Sequence, residues 1–489
     1  MSAAVWTLSA TELSAAFRER SMSPLDALNS VWGRMEAVNP AINAVVTHDY
    51  QAALQAAAAS TRRWQQGLPL SALDGVPFTV KDNIPVAGMR STFGSGLYAD
   101  HVPLRDELPV ARLRAAGAVM LGKTNTPEFA LQGYTDNALF GVTRNPWDLS
   151  LTPGGSSGGA VAAVAAGIAP IALATDGGGS IRRPCAHTGC TGLKPSAGRV
   201  PRSNGFPAFL HDFEVVGPVA RDVNDLTLVM DLIAPFSALD SRSGSWRHQD
   251  FSVPVVRPSR ILLLTALGLA PVDTETRTST EGAARALESL GHQIDTEVSE
   301  ELTTLICAVN ELAWPVISQS GLAWFLERHF PSRLGEISPA IAQLLQAGHQ
   351  HSGASYAHAL DLVQRLRNCL SLLFERIDFL LLPSAAALPW AADQSHPTFI
   401  DGMAVGPRGH AVFTAFVNAA GLPALALPAR PSALGLPIGV QLVGRQGDDA
   451  RLCAVGLQYQ QVAPWQSLWQ SQPKRPLPSI LQTTGMQFA

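Results

Sequence analysis

The sequence predicts a layered α/β fold around a central β-sheet, and three observations lead to that prediction. Segments with helical spacing alternate along the chain with short apolar segments of strand length. The chain has 489 residues, of which 46% are hydrophobic, so it can form a large core. No internal repeat and no long linker interrupts this alternation. Helices and strands therefore belong to one layered architecture.

The predicted elements follow one another along the whole chain. After an N-terminal helix capped near Ser9 or Thr11, the predicted helices are residues 106–117, 160–167, 222–233, 273–290 and 448–461. The predicted strands are residues 119–121, 171–174, 261–265, 379–382 and 438–443.

Three further stretches differ from this pattern. Residues 237–258 are rich in Ser, Arg and Pro, and we expect them to link an N-terminal half to a C-terminal half. Residues 300–375 are predicted to be mainly helical and to form a cap or a subunit surface. The tail after Pro464 is polar and contains prolines, so we expect it to be partly mobile.

Composition excludes several classes of function. The net charge of −4 predicts no basic face, and so no nucleic-acid partner. Five scattered cysteines do not make a disulfide framework. Cys185, His187 and Cys190 lie close together, but no second cluster completes four ligands, so we expect no metal and no cofactor. We find no signal-peptide pattern and no membrane-length apolar run, and expect a cytoplasmic protein without a membrane partner.

Lysine usage identifies the first candidate for chemistry. Of the 35 basic residues only four are lysines, namely Lys81, Lys123, Lys194 and Lys474. Arginine does not readily lose its proton, whereas a buried lysine can. Lys81 ends the apolar run GVPFTVKDN and is therefore a candidate general base, the alternative being an ordinary surface lysine.

A glycine-wrapped pair of serines, GGSSGG, is the second candidate. It contains Ser156 and Ser157 and precedes an alanine-rich helix. The glycines permit unusual backbone angles and close approach of other groups. A phosphate-binding loop is disfavoured because no G-x-x-x-x-G-K-[ST] pattern is present. A nucleophile elbow, which needs a preceding strand, and a simple glycine-rich helix start remain as alternatives.

A second glycine-rich loop, TDGGGSIR, contains Ser180 and follows a predicted strand. Its three glycines leave their backbone N–H groups unshielded, so these groups can converge on a developing oxyanion. Asp176 and Arg182 bracket the loop, and we expect a charge-assisted hydrogen bond between them to tie its ends. The alternative is a plain turn with a surface acid and a surface arginine. The glycines are Gly177, Gly178 and Gly179.

Several segments together resemble the amidase signature family. They are GVPFTVKDN, TPGGSSGG, TDGGGSIRRP and GLKPSAGRVP, and the resemblance runs from about Thr7 to Gln461. Ser156 and Ser180 lie 24 residues apart, as the serine pair of that family does. The resemblance implies a large mixed central sheet sandwiched between α-helices. It also implies one domain over residues 1–489, with the signature core in residues 68–235.

The resemblance assigns roles to the residues of both loops. It implies that Ser180 is the nucleophile, that Ser156 is a bridging serine held through a cis peptide bond, and that Lys81 is the general base. The backbone of the three glycines then forms the oxyanion hole, and Ser157 supports the network together with Asp176 and Arg182. One departure from the family is Gly177, where a larger residue is common, so we expect a more flexible loop.

The substrate pocket is predicted from the same resemblance. The candidates Ala130, Leu131, Gln132 and Tyr134 match a family segment that lines the acyl pocket, although each is also compatible with a core position. Residues 384–390 and 413–418 are expected to form the far wall. The composition of these segments predicts a roomy apolar pocket for an aryl or alkyl group, without a charged anchor for a carboxylate.

The resulting hypothesis is a hydrolase that cleaves the C–N bonds of small aryl or alkyl amides, with carbamates and esters as further substrates. We expect a monomer or a homodimer. One alternative is the A subunit of a glutamine-dependent amidotransferase, which needs a partner chain. A non-catalytic amidase-like binding protein is a second alternative, and a Ser–His–Asp hydrolase that uses one of the 12 histidines is a third.

Overall fold

The main β-sheet of the protein is mixed, and helices cover both of its faces. A computed structural model describes residues 4–206, 209–248, 251–463 and 465. The tail after Pro464, apart from Trp465, lies outside the described residues, as do positions 249–250 of the predicted linker. Within the described residues the main sheet has eleven strands, and two further strands form a hairpin.

The strands are β1 (Val45–His48), β2 (Pro77–Lys81), β3 (Val119–Thr124), β4 (Ile171–Asp176), β5 (Thr191–Lys194), β6 (Val215–Ala220), β7 (Arg260–Leu263), β8 (Gln293–Asp295), β9 (Phe379–Pro383), β10 (Phe399–Ile400), β11 (Met403–Ala404), β12 (Ala424–Pro428) and β13 (Gly439–Gly444).

The helices are α1 (Ala10–Glu19), α2 (Pro24–Ile42), α3 (Tyr50–Gln66), α4 (Leu108–Ala115), α5 (Gly158–Ala165), α6 (Arg182–Thr188), α7 (Val223–Ile233), α8 (Thr274–Ser289), α9 (Glu300–Ala308), α10 (Trp314–His329), α11 (Pro339–His349), α12 (Gly353–Leu373), α13 (Ala415–Ala419) and α14 (Asp449–Val462). A π-helical turn, Val309–Ala313, joins α9 to α10.

The order of the strands brings the two glycine-rich loops together. Across the main sheet it is β1-β3-β2-β4-β6-β5-β12-β13-β9-β7-β8, and β2 runs parallel to both β3 and β4. The carboxyl ends of β2 and β4 therefore lie at the same edge of the sheet. Lys81 ends β2 and Asp176 ends β4, so the lysine and the second glycine-rich loop begin from adjacent positions.

Alternation of side chains along β4 explains the helical layers. Leu173 packs in a core that includes residues of α1, α7, α8 and α14. Ala172 and Ala174 point to the opposite face and pack against residues of α5 and α6. The small alanines let α5 lie close to the sheet, which positions the serine-containing loop at its start. This arrangement confirms the predicted α/β sandwich.

The predicted elements agree with the structure to within a few residues. Ser9 caps α1 through a capping box with Glu12, so the first of the two predicted caps is the correct one. Residues 300–375 are helical as predicted and form α9 to α12. Strands β5, β6 and β12 are fully buried, without the alternation that marks half-exposed strands, and were not assigned as strands from the sequence.

Candidate active site

Lys81 is completely buried at the end of β2. Its Nζ atom lies 2.8 Å from Ser156 Oγ and 2.9 Å from Thr175 Oγ1. Burial lowers the pKa of Lys81 to about 7, although the negative charges of Glu214 and Asp176 oppose that shift. A substantial fraction of this amine is therefore neutral near pH 7 and can accept a proton.

The first serine site is a tight loop that precedes α5. The peptide bond between Gly155 and Ser156 is cis. A methyl group on Gly155 would collide with the backbone carbonyl of Tyr134, so only glycine fits at this position. Ser157 is buried, and its hydroxyl donates to the carbonyl of Thr175 at 3.0 Å. This bond joins the loop to β4 and fixes Ser156 beside Lys81.

The second loop holds Ser180 between β4 and α6. The backbone N–H of Ser157 donates to the Ser180 carbonyl at 3.2 Å, which ties the two serine loops together. Ser180 is 6% exposed and lines the same cavity as Ser156. A nucleophile must be reachable by substrate, and this position meets that requirement.

The three glycines of this loop are not equivalent. The N–H of Gly179 donates to Asp176 Oδ1 at 2.7 Å, so it is not free to bind an oxyanion. Gly177 and Gly178 line the cavity, and within the described chain their N–H groups donate to no other residue. The expectation that all three amides converge on an oxyanion is therefore corrected, because the N–H of Gly179 forms a hydrogen bond within the loop instead.

The carbonyl groups of Gly177 and Gly178 accept hydrogen bonds from two side chains outside the loop. The indole N–H of Trp314 donates to the Gly177 carbonyl at 2.9 Å, and the Thr414 hydroxyl donates to the Gly178 carbonyl at 2.8 Å. These two bonds fix the orientation of the peptide groups in the loop. They also limit the flexibility that the small Gly177 was expected to introduce.

Asp176 and Arg182 form the expected ion pair. Both side chains are fully buried and their charged atoms lie 3.0 Å apart. Burial alone would raise the pKa of Asp176, but the Arg182 guanidinium and several hydrogen bonds hold it well below its usual range. Asn418 donates to Asp176 as well, at 2.9 Å. The loop is thus anchored by a carboxylate whose hydrogen bonds are well satisfied.

Three polar residues linked to Lys81 were missed from the sequence. Thr175 accepts hydrogen bonds from Lys81 and from Asn83 Nδ2, the latter at 2.9 Å, and Asn83 also donates to Glu214 at 3.1 Å. A chain of polar contacts therefore runs from the lysine to a carboxylate that lines the cavity. Thr175 immediately precedes Asp176 at the end of a strand parallel to β2, and that pairing is the signal that could have identified it.

The site opens into a cavity of about 620 Å³. Ala130, Leu131 and Gln132 line it as predicted, whereas Tyr134 is not among the lining residues. Phe129 and Ala130 both have positive φ angles, near 54° and 58°, which turns this segment toward the cavity. The opposite side is formed mainly by residues from α9, the π-helical turn and α10, together with residues 405–412.

The expected far wall is wrong in its residues. Residues 384–390 and 413–418 are not part of the lining. Thr414 and Asn418 instead lie behind the second glycine-rich loop and hold it in place. The cavity is also less purely apolar than predicted, because Arg183 and Arg408 line it together with Glu214 and Glu311.

The histidines do not form a Ser–His–Asp site in the described part of the chain. His410 lines the cavity, but neither of its ring nitrogens has a hydrogen-bond partner there. His187 is buried and its Nε2 contacts the carbonyl of Ala387 at 3.1 Å. Burial lowers the pKa of both rings. Neither imidazole contacts a serine of the two loops, so among the described residues only the lysine is a base that reaches a serine in this cavity.

The residues that the structure covers show neither a metal-binding cluster nor a membrane-spanning helix. We find no group of three or more His, Cys, Asp or Glu side chains that could hold a metal ion there. Cys185 and Cys190 are buried among apolar residues, and burial raises the pKa of both thiols. None of the described helices is long and apolar enough to cross a membrane.

Comparison with known proteins identifies the family. The Amidase family model matches residues 26–453. The chain is 35% identical over 479 residues to the A subunit of a glutamyl-tRNA(Gln) amidotransferase from Moorella thermoacetica, across 94% of this chain and 97% of that protein. It is 33% identical over 463 residues to an acylamidase from Rhodococcus erythropolis, across 94% and 96%.

Solved structures agree with the sequence comparison. The crystal structure of a bacterial aryl acylamidase from the amidase signature family matches with a TM-score of 0.87 at 29% identity, covering 98% of this chain and 99% of that one. A 6-aminohexanoate cyclic dimer hydrolase matches with a TM-score of 0.84 at 28% identity, covering 95% and 98%. The chain therefore belongs to the amidase family.

Proposed function

We propose that the protein hydrolyses the C–N bond of small amides through an acyl-enzyme on Ser180. The observation that carries the proposal is the contact of 2.8 Å between the buried Lys81 amine and the Ser156 hydroxyl, in a cavity that Ser180 also lines. The likeness to an acylamidase and to an aryl acylamidase supports amides or anilides as the substrate class. Carbamates and esters are further candidates because they present the same acyl carbon.

In the proposed mechanism the neutral Lys81 amine takes a proton from Ser156, which takes one from Ser180 as the Ser180 oxygen attacks the amide carbonyl. The N–H groups of Gly177 and Gly178 stabilise the resulting oxyanion. Ser156 then passes that proton to the leaving nitrogen and regains one from the Lys81 ammonium group, and the C–N bond breaks. Water attacks the acyl-enzyme by the same proton path and releases the acid.

A second candidate is the glutaminase component of an amidotransferase. The identity of 35% with the A subunit of a glutamyl-tRNA(Gln) amidotransferase favours it. Both candidate activities use the same acyl chemistry, so the site is compatible with either. Such a component works together with partner chains, whereas the first candidate acts alone. Hydrolysis of a simple anilide by the purified chain supports the first candidate. Activity on glutamine alone, dependent on an added partner, supports the second.

Covalent labelling tests the proposal directly. A fluorophosphonate should attach to Ser180 in the intact chain and leave Ser180→Ala unlabelled. The Ser180→Ala variant should also lose turnover on a panel of anilides, primary amides, carbamates and esters. Labelling of another residue, or turnover in Ser180→Ala, would exclude the assignment. A folded chain that neither labels nor turns over any of these substrates would favour the non-catalytic alternative.

A further inference from the structure

The cavity contains two arginines that have no carboxylate partner among the described residues. Arg183 lies in α6, three residues after Ser180, and is 6% exposed. Arg408 follows the hairpin of β10 and β11 and is half-buried. Both line the cavity together with Ser156 and Ser180. The described part of the chain includes no ion pair for either guanidinium, although neighbouring Arg182 is fully paired.

The contacts that these arginines do make leave their donors largely unused. Arg183 Nη2 reaches the Gly155 carbonyl at 3.5 Å, a long hydrogen bond, and its buried Nε atom has no partner within the described residues. The Arg408 guanidinium lies over the ring of Trp314, 3.9 Å from its centroid. A guanidinium presents five donors in a planar fork, so most of this donor capacity faces the cavity or lacks a partner.

The charges around these two side chains are mainly positive. Burial lowers the pKa of Arg183 to about 9, and the charge of Arg408 contributes to that lowering. Both arginines also disfavour protonation of His410, which lines the same cavity. Such a concentration of like charge in a partly dehydrated site is costly unless an anion compensates it.

The acids of the cavity do not provide that compensation. Glu214 accepts a hydrogen bond from Asn83 at 3.1 Å and lies 3.6 Å from Arg202, so its negative charge is already compensated by that arginine. Glu311 is exposed on the π-helical turn and forms no ion pair within the described residues. Neither acid lies within ion-pair distance of Arg183 or Arg408.

We infer that the preferred substrates are amides that carry a carboxylate, which Arg183 and Arg408 bind inside the cavity. Two guanidinium groups suit a carboxylate because each can donate two parallel hydrogen bonds to it. The apolar remainder of such a substrate can pack on Phe209, Leu210 and Leu322, which line the same cavity. This inference rests on the proposed function, since it names the substrate class of that site.

The position of the arginines restricts where the carboxylate lies. Arg183 contacts the carbonyl of Gly155, the residue before Ser156. Arg408 packs on Trp314, whose indole holds the Gly177 carbonyl beside the oxyanion site. Arg183 thus contacts the first serine-containing loop directly, and Arg408 is connected to the second through Trp314. A carboxylate between them is therefore separated from the reacting carbonyl by a short chain.

Matched chromogenic substrates test this inference. The mono-4-nitroanilides of succinic, glutaric and adipic acid carry a carboxylate at increasing distance from the scissile bond. Their neutral counterparts have an isopropyl group in place of the carboxylate. For at least one chain length we expect kcat/KM to be at least about tenfold higher for the charged substrate, which is the effect that one charge-assisted hydrogen bond would give.

The variant Arg408→Met should bring that ratio close to one, while Arg408→Lys should retain part of it. Arg183→Met should act in the same direction. Arg285 is exposed on α8, and Arg285→Met serves as the matched control, with an unchanged ratio. Binding of the same substrates to Ser180→Ala, measured by calorimetry, gives a readout that does not depend on turnover.

The outcomes separate the inference from the proposed function. If the neutral anilides are hydrolysed and Ser180 is labelled, but no charged substrate is preferred, the inference is wrong and the proposed function stands. A preference that survives in Arg408→Met and Arg183→Met also overturns it. If Ser180 is neither labelled nor required for turnover, the proposed function fails first. L-glutamine has the carbon skeleton of glutaric acid monoamide and carries an additional ammonium group. Comparing the hydrolysis of these two compounds distinguishes an amino-acid substrate from a simple diacid monoamide.

Discussion

Two buried lysines on neighbouring strands differ in the partners that surround them. Lys81 ends β2 and Lys123 lies in β3, and both side chains are fully buried. The Nζ atom of Lys123 donates to the Ile84 carbonyl and to the Ser91 hydroxyl, and it lies 3.6 Å from Asp82. Among the described residues, the hydrogen-bond partners of Lys81 are only the hydroxyls of Ser156 and Thr175.

This difference separates a structural lysine from a candidate base. A carbonyl and a carboxylate can only accept, so the partners of Lys123 favour an ammonium group. A hydroxyl can donate or accept, so the partners of Lys81 tolerate a neutral amine. Burial lowers the pKa of both, to about 8 for Lys123 and about 7 for Lys81, and at Lys123 the charge of Asp82 opposes the shift. Burial of a lysine is therefore not sufficient to make it a base.

Removing the Lys81 amine should have the largest effect on activity. We expect Lys81→Met to lower kcat/KM by roughly 10³-fold or more, because general-base catalysis is lost while the apolar stem is kept. Its unfolding midpoint in urea should change little, since no charged partner is left alone. Steady-state kinetics on an anilide and urea denaturation measure both quantities. Nearly normal activity in this variant would restore the Ser–His–Asp alternative.

The matched variant Lys123→Met should show the opposite pattern. It leaves Asp82 buried without its cation, and breaking such a pair costs about 3–5 kcal/mol of unfolding free energy. The turnover of the folded fraction should remain close to that of the parent protein. Circular dichroism during urea titration measures the free energy of unfolding, and fluorophosphonate labelling measures the fraction of protein molecules that are active. A stable but inactive Lys123→Met protein would contradict the comparison.

A smaller effect is expected at Glu214. Activity requires neutral Lys81, so kcat/KM should fall as the pH drops below the lysine pKa near 7. The Glu214 carboxylate favours the ammonium form, so Glu214→Gln should lower that pKa and move the acid limb to lower pH, by less than about one unit. The control Glu214→Asp keeps the charge and should shift the limb less. A shift of the acid limb to higher pH in Glu214→Gln would show that the Glu214 carboxylate does not favour the ammonium form of Lys81.

The sequence predicted the central contacts because their signals were unusual. Few lysines, serines flanked by glycines, and an acid and an arginine that bracket a glycine-rich loop are local patterns with definite chemical consequences. Lys81, Ser156 and the Asp176–Arg182 pair could therefore be identified before the fold was known, and the structure brings them together. The assignment of Ser180 as the nucleophile remains a prediction for labelling to test.

The remainder of the site depends on long-range packing. Thr175, Asn83 and Glu214 are ordinary polar residues whose roles follow from the pairing of β2 with β4 and β6 with β4. The far wall was assigned to residues 413–418, but in the structure Thr414 of this segment hydrogen-bonds to the second glycine-rich loop. The adjacent residues 405–412 line the cavity instead. No local pattern distinguishes these two adjacent segments.

The central claim is that Lys81 is the neutral base of a serine relay. The rate of Ser180 labelling by a fluorophosphonate, followed by mass spectrometry across pH, tests it most directly. The account predicts that labelling declines below about pH 7, that it is nearly lost in Lys81→Met, and that it persists in Lys123→Met. A labelling rate that is independent of pH and unchanged in Lys81→Met would contradict it.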